Sequence, residues 1–241
     1  MRGRAVELED ELLVQRYPLF DPQECSSLGD RVLSLREHWT IRAGGLFYTL
    51  GAASYLDAPS QHAAYLDCAQ KSNAVLLKSF PWLYQRIVNF FSETLREPAF
   101  FGPGYTALPG FHIFLLKGYD RNQDDVSSRA HFDLQWKHAL PGYDGAKTLS
   151  FTVLIEQPEG GAAMEMWKLR YSGVEAQGSS VTQFASSNPS CAVNYERGAI
   201  VVHDGYHLHA IGRAGVRAPT GRRVTIQGHG IRTDDGWLLY W

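Results

Sequence analysis

Cysteine is scarce in this 241-residue chain: Cys25, Cys68 and Cys191 stand far apart, and none belongs to a CxxC pair. An odd, scattered set argues against both a disulfide scaffold and a thiolate zinc site. No apolar run approaches the ~20 residues that a membrane-spanning helix needs. The opening stretch MRGRAVELEDELL also lacks the hydrophobic core of a secretion signal. Neither sign of charge dominates, since 23 Lys and Arg face 25 Asp and Glu for a net charge of -2. A nucleic-acid binder normally shows a positive excess or a basic stripe, and neither is visible. Internal repeats and inter-domain linkers are missing as well. The expectation is therefore a cytoplasmic, single-domain protein without a nucleic-acid or membrane partner; nothing in the sequence bears on oligomeric state.

Aromatic residues are plentiful, with 12 Tyr, 12 Phe and 6 Trp, and a 44% hydrophobic content is enough to fill one sizeable core. The first 97 residues read as mostly helical support. In DPQECSSLGDRVLSLREH, residues 21–38, Asp21 can cap a helix, Pro22 suits its first position, and Glu24 completes a capping box. Gly44-Gly45 precede a short strand, LFYTL; further helices are expected over about 60–80 and from Pro81 to Arg96. From about residue 98 the segments become short and rich in Val, Ile, Phe and Thr, broken by Gly, Pro and Asp. Candidate strands are 111–116, 149–156, 163–170, 198–203, 207–211, 223–228 and 236–241. The fold class is mainly β, a sandwich or barrel integrated with N-terminal helices. Linkers at 117–130, 137–147 and 171–197 are natural material for an active-site rim.

His131-Phe132-Asp133 puts an imidazole and a carboxylate two residues apart, on the same side of an extended segment. A third ligand has to come from a distant strand, because one strand cannot supply three directions. GAIVVHDGYHLHAI, residues 198–211, offers it: an apolar strand, a DG turn, then two histidines. His209 is the preferred ligand, His207 a rival, and His203, before the turn, the less favoured choice. Two histidines and one carboxylate with open positions suit non-haem Fe(II).

In GRRVTIQGHG, Arg223 and Thr225 share a face with Gln227 and His229, while Arg222, Val224 and Ile226 share the other. Inward polar groups on a half-apolar strand are costly unless something occupies the space between them. An arginine fork with a neighbouring hydroxyl matches a carboxylate. The competing account is a structural ion pair for Arg223.

Together these pieces resemble the Fe(II)/2-oxoglutarate-dependent oxygenases. The resemblance spans about residues 111–241 and rests on His131 to Asp133, PEGGAAMEMW at 158–167, GAIVVHDGYHLH at 198–209, and Gly221-Arg222-Arg223-Val224-Thr225. It implies a double-stranded β-helix, a jelly-roll of the cupin-like kind. It also implies Fe(II) held by His131, Asp133 and His209, the distal carboxylate of 2-oxoglutarate held by Arg223 and Thr225, and O2 as oxidant. Members that halogenate replace the ligand aspartate with a small residue; Asp133 is present, so hydroxylation or another C–H oxidation is expected, releasing succinate and CO2.

The strand 111–116 precedes the HxD segment and can line the same cavity, with His112, Phe114 and Leu116 inward or the opposite phase; His112 is a candidate to hydrogen-bond the cosubstrate. Gln135, Trp136 and Trp167 are candidate substrate-wall residues. Arg129, Arg213 and Arg217 are candidates to meet an anionic substrate. A small organic molecule is expected, such as an amino-acid derivative or a natural-product intermediate. Two other readings stay open: an iron oxygenase independent of 2-oxoglutarate, and a non-catalytic β-helix binding module.

Overall fold

The structure, a computed structural model, describes residues 14–58, 62–102, 104–115, 129–143, 147–157, 161–172, 178–212 and 221–241. Leu116, Arg213, Arg217 and residues 158–160 of the Gly-Gly turn lie outside the described residues.

Helix α1 (Pro22–Ser34) begins as its sequence predicts. Asp21 accepts from the N–H groups of Gln23 and Glu24, and the Glu24 carboxylate accepts from Asp21 N at 2.9 Å. Its last predicted turn is instead a separate, tighter one at Arg36–His38. A short α2 (Ser54–Asp57) leads to α3 (His62–Ser79) and α4 (Pro81–Leu95). Helix α4 has Pro at its first position, buries Leu83, Ile87 and Phe91, and is closed by Arg96 in the left-handed region at φ 56.

Nine strands form one sheet: β1 (Gln15–Pro18), β2 (Thr40–Arg42), β3 (Phe47–Leu50), β4 (Ala99–Phe101), β5 (Gly110–Leu115), β6 (Thr148–Glu156), β9 (Ala199–His203), β11 (Arg222–Thr233) and β12 (Gly236–Tyr240). A smaller sheet has the order β10 (His207–Ile211), β7 (Met164–Arg170), β8 (Cys191–Val193). Pairing is antiparallel except between β12 and β4. The N-terminal third is thus more than helical support, because β1, β2 and β3 extend the main sheet. The largest apolar cluster joins Leu28, Leu83 and Phe91 from the helices to Phe111, Val153 and Ile226 from the strands.

Two further expectations are corrected. Strand β11 runs on to Thr233 rather than ending at 228: its first half pairs with β5 and its second with β12. The glycines that look like a break are packing devices. A Cβ on Gly228 would sit 2.5 Å from the Phe151 ring, and one on Gly230 would sit 2.9 Å from Leu149. The supposed linker 171–197 contains α6 (Gly178–Ser187) and β8. A further four-residue helix, α5 (Trp136–Ala139), follows the HxD segment. Among the described residues, no helix is long and apolar enough to cross a membrane.

Candidate functional site

Backbone hydrogen bonds place the HxD segment. His131 and His209 form an isolated antiparallel bridge, with N–H to O distances of 2.9 and 3.0 Å, and Asp133 N donates to Gly205 O at 2.8 Å. His209 belongs to β10, so this bridge carries the chain's middle to a strand near its end. One ligand atom each from His131, Asp133 and His209 lies within 4.8 Å of the others, a group that could hold a metal ion.

The imidazoles are also oriented for that task. Nδ1 of His131 meets Arg129 O at 2.8 Å, and Nδ1 of His209 meets His207 O at 2.8 Å. A carbonyl only accepts, so each Nδ1 carries the proton and each Nε2 faces inward. There Nε2 of His131 is 3.6 Å from Asp133 Oδ1, and Nε2 of His209 is 3.4 Å from Oδ2. Burial alone would raise the Asp133 pKa, but His209, through charge and a hydrogen bond, and then His229 and His131 hold it well below the carboxylate range. For His209, burial pulls the pKa down, and Asp133 more than reverses this, leaving it raised.

The rival histidines are engaged elsewhere. His207 Nδ1 is 3.2 Å from Asp204 Oδ1. His203 accepts the Gly205 N–H at Nδ1, so its Nε2 carries hydrogen where it lies 4.0 Å from Asp133 Oδ2. Burial and His209 lower its pKa to about 3, and it offers the centre an N–H, not a lone pair.

Arg223 and Thr225 are 4% and 0% exposed. The Arg223 guanidinium meets no carboxylate among the described residues and has the Tyr195 hydroxyl as its polar neighbour, while Thr225 Oγ1 lacks a hydrogen-bond partner. The guanidinium lies 5.2 Å from the Tyr195 ring centre and 5.8 Å from that of Phe114; burial lowers its pKa, and Tyr195 opposes the shift. Arg222 turns the other way and pairs with Glu156 at 2.7 Å. His112 sits opposite Thr225 in the β5–β11 register. Its Nε2 is 2.8 Å from the Tyr55 hydroxyl and its Nδ1 is buried without a partner. Burial, then Arg223, lowers the His112 pKa to about 3. His112 is thus neutral; a proton donated by Tyr55 to Nε2 would leave Nδ1 as an N–H donor beside Arg223 and Thr225.

A cavity of about 360 Å³ has His131, Asp133, His209, His112 and Tyr195 among its lining residues. Of the proposed substrate residues, only Gln135 lines it, and its amide donates to Asp133 Oδ1 at 2.9 Å. Trp136 packs instead with Ala139, Leu140, Ile231, Leu238 and Tyr240. Trp167 lies beneath α6, donating to Ala185 O and Asn188 O at 3.1 and 3.2 Å. Strand β7 presents Met164 to the cavity, the opposite phase from the one expected, because α6 covers its other face. Arg129 supplies its carbonyl to His131, while its side chain is not part of the cavity wall. Sequence reasoning missed Tyr55 and Tyr195 as lining residues. Both lie in segments where no periodicity or motif assigns a face.

No family model and no curated protein matches the sequence. Solved structures do match in fold. An N-substituted L-amino acid dioxygenase from Burkholderia ambifaria AMMD, in complex with alpha-KG, is 17% identical; the match covers 96% of this chain and 87% of that one, with a TM-score of 0.58. The non-heme alpha ketoglutarate dependent epimerase SnoN from nogalamycin biosynthesis is 14% identical over 93% of this chain and 83% of its own, with a TM-score of 0.54. A 2OG-Fe(II) oxygenase family oxidoreductase from Burkholderia pseudomallei is 12% identical over 98% and 96%, with a TM-score of 0.51. The chain has the fold of the 2-oxoglutarate-dependent iron oxygenases.

Proposed function

We propose that this protein is an Fe(II)- and 2-oxoglutarate-dependent oxygenase that hydroxylates, or otherwise oxidises a C–H bond of, a small organic molecule. One observation carries the reading: a buried arginine that meets no carboxylate among the described residues, with the Tyr195 hydroxyl as its polar neighbour, stands beside a cavity that also contains a two-histidine, one-carboxylate cluster. An unpaired buried cation costs several kcal/mol, about 3–5, unless an anion answers it. A dicarboxylate that binds the metal at one end and Arg223 at the other satisfies both. The matched fold is that of the jelly-roll oxygenases, which favours the double-stranded β-helix reading.

On this account His131 Nε2, His209 Nε2 and the Asp133 carboxylate hold the iron. Arg223 receives the distal carboxylate of 2-oxoglutarate, with Thr225 Oγ1 and His112 Nδ1 as further donors. Together iron, 2-oxoglutarate and O2 supply the oxidising power, with succinate and CO2 as products. The chain's own work is to orient and to exclude water. Phe132, Leu134, Phe151, Met164, Ala210 and Ile211 form the apolar part of the wall, and the neutral His203 donates toward Asp133 without competing for metal. A cavity of this size with balanced overall charge favours a small-molecule substrate, such as an amino-acid derivative or a natural-product intermediate, over a nucleic acid or a membrane lipid.

The test is stoichiometric Fe(II) binding together with succinate and CO2 release, measured with and without 2-oxoglutarate. Both products should depend on 2-oxoglutarate. Arg223→Ala should weaken 2-oxoglutarate by about 2–5 kcal/mol, thirtyfold or more, with Fe(II) binding retained, while Arg222→Ala should leave both nearly unchanged. Iron-dependent oxidation without succinate would replace this reading with a 2-oxoglutarate-independent oxygenase. A protein that takes up no Fe(II) would be a binding module.

A further inference from the structure

The two oxygens of Asp133 are not equivalent. Oδ2 faces His209 Nε2 at 3.4 Å, His229 Nδ1 at 3.9 Å and His203 Nε2 at 4.0 Å. Oδ1 faces His131 Nε2 at 3.6 Å and, unlike Oδ2, also receives a side-chain amide, that of Gln135, at 2.9 Å. An ionised carboxylate only accepts, so the amide nitrogen of Gln135 must be the end that faces it. Gln135 is itself held in place: it is 7% exposed, and its carbonyl accepts from His138 N at 3.0 Å and Ala139 N at 2.9 Å in the first turn of α5. Its Oε1 is buried with no partner. An unsatisfied buried acceptor costs about 1–3 kcal/mol, so stability alone does not account for this side chain.

We propose that Gln135 is a positioning residue that occupies Oδ1 of Asp133 and so reserves a single oxygen, Oδ2, for the metal. The inference rests on the reading of Asp133 as an iron ligand. Its physical content is coordination arithmetic: a carboxylate that binds through both oxygens fills two positions, and a centre that must accept a chelating cosubstrate and O2 cannot spare one. With an N–H already on one of its two lone pairs, Oδ1 is the weaker metal donor, and the charge-assisted bond fixes the carboxylate plane, which disfavours binding through both oxygens. Gln227 lines the same cavity from β11 and has no bond to Asp133, which makes it the internal control.

The experiment uses the full chain, freed of metal and titrated with Co(II), reading both affinity and the visible absorption of the bound ion. Gln135→Met keeps length and removes the donor; Gln135→Leu is the second variant in case one folds poorly. Both should lose about 10–100-fold in Co(II) affinity and show an altered absorption envelope, while the melting temperature of the metal-free protein holds or rises. Gln227→Met should match wild type. If folded Gln135 variants bind Co(II) with wild-type affinity and spectrum, the inference is overturned and the triad stands. If wild type itself binds no Co(II), the triad reading fails and this inference falls with it.

Discussion

His207 and His209 are two residues apart on one strand, and simple alternation would point them the same way. The register between β10 and β7 shifts between these two positions, so His207 reaches Asp204 while His209 faces Asp133. His131→Ala, Asp133→Ala and His209→Ala should each abolish tight Fe(II) binding, whereas His207→Ala should leave it close to wild type; equilibrium dialysis distinguishes them. The same atoms set a pH dependence. The His209 pKa is raised, that of His131 lowered by burial and by His209, and that of Asp133 held far down. As pH falls, His209 is therefore the first of the three ligands to take a proton that the metal must displace, because the His131 pKa is lowered and Asp133 stays ionised. Metal affinity should be flat above the raised His209 pKa and fall by about tenfold per pH unit below it. A Mn(II) titration series from pH 5.5 to 8 checks the slope; a slope near two would mean that a second histidine must also lose a proton.

At the scale of elements, Gly198 shows how local geometry serves the site. It opens β9 at φ +81, its carbonyl accepts from Leu19 N and Phe20 N at 3.0 and 2.9 Å, and a Cβ there would lie 2.1 Å from Phe20 O. The left-handed conformation costs a non-glycine residue about 1–2 kcal/mol, and the clash with backbone adds to it. Gly198→Ala should therefore lose about 2 kcal/mol or more by chemical denaturation, a value that a simple loop glycine would not approach. Elements with two agreeing signals were legible from sequence. Helix α1 had a cap and an apolar stripe, and β9 and β10 had apolar runs bounded by a DG turn. The meeting of His131, Asp133 and His209 and the burial of Arg223 were legible because fixed spacing and strand phase select particular side chains. The rest depended on tertiary context. MEMWKLR alternates equally well in either phase, and only the presence of α6 decides that Trp167 faces away from the cavity. Glycine in GHG reads as a break until Phe151 and Leu149 are seen filling the space above it. The polar composition of SSVTQFASS hid a helix that brings only Val181, Phe184 and Ala185 to the cluster with Trp167.

Across the whole molecule, the candidate site draws on both sheets. His209 sits in the three-stranded sheet, Arg223, Thr225 and His112 in the nine-stranded one, and the HxD segment bridges to His209. Ligands that bind here tie together parts of the chain that unfolding separates, and anything that binds only the folded state stabilises it in proportion to the logarithm of its concentration over Kd. At 100 times Kd each ligand should contribute about 2.7 kcal/mol. For a chain of this length that corresponds to a rise in melting temperature of about 5–10 °C. Wild type should show one such step with Mn(II) and a second when 2-oxoglutarate is added. In Arg223→Ala the Mn(II) step should persist and the second should shrink toward nothing. In Asp133→Ala both should vanish, because the dicarboxylate loses the metal that anchors its other end. A second step that survives Arg223→Ala, or appears without Mn(II), would place the 2-oxoglutarate site somewhere other than between Arg223 and the His131, Asp133 and His209 cluster.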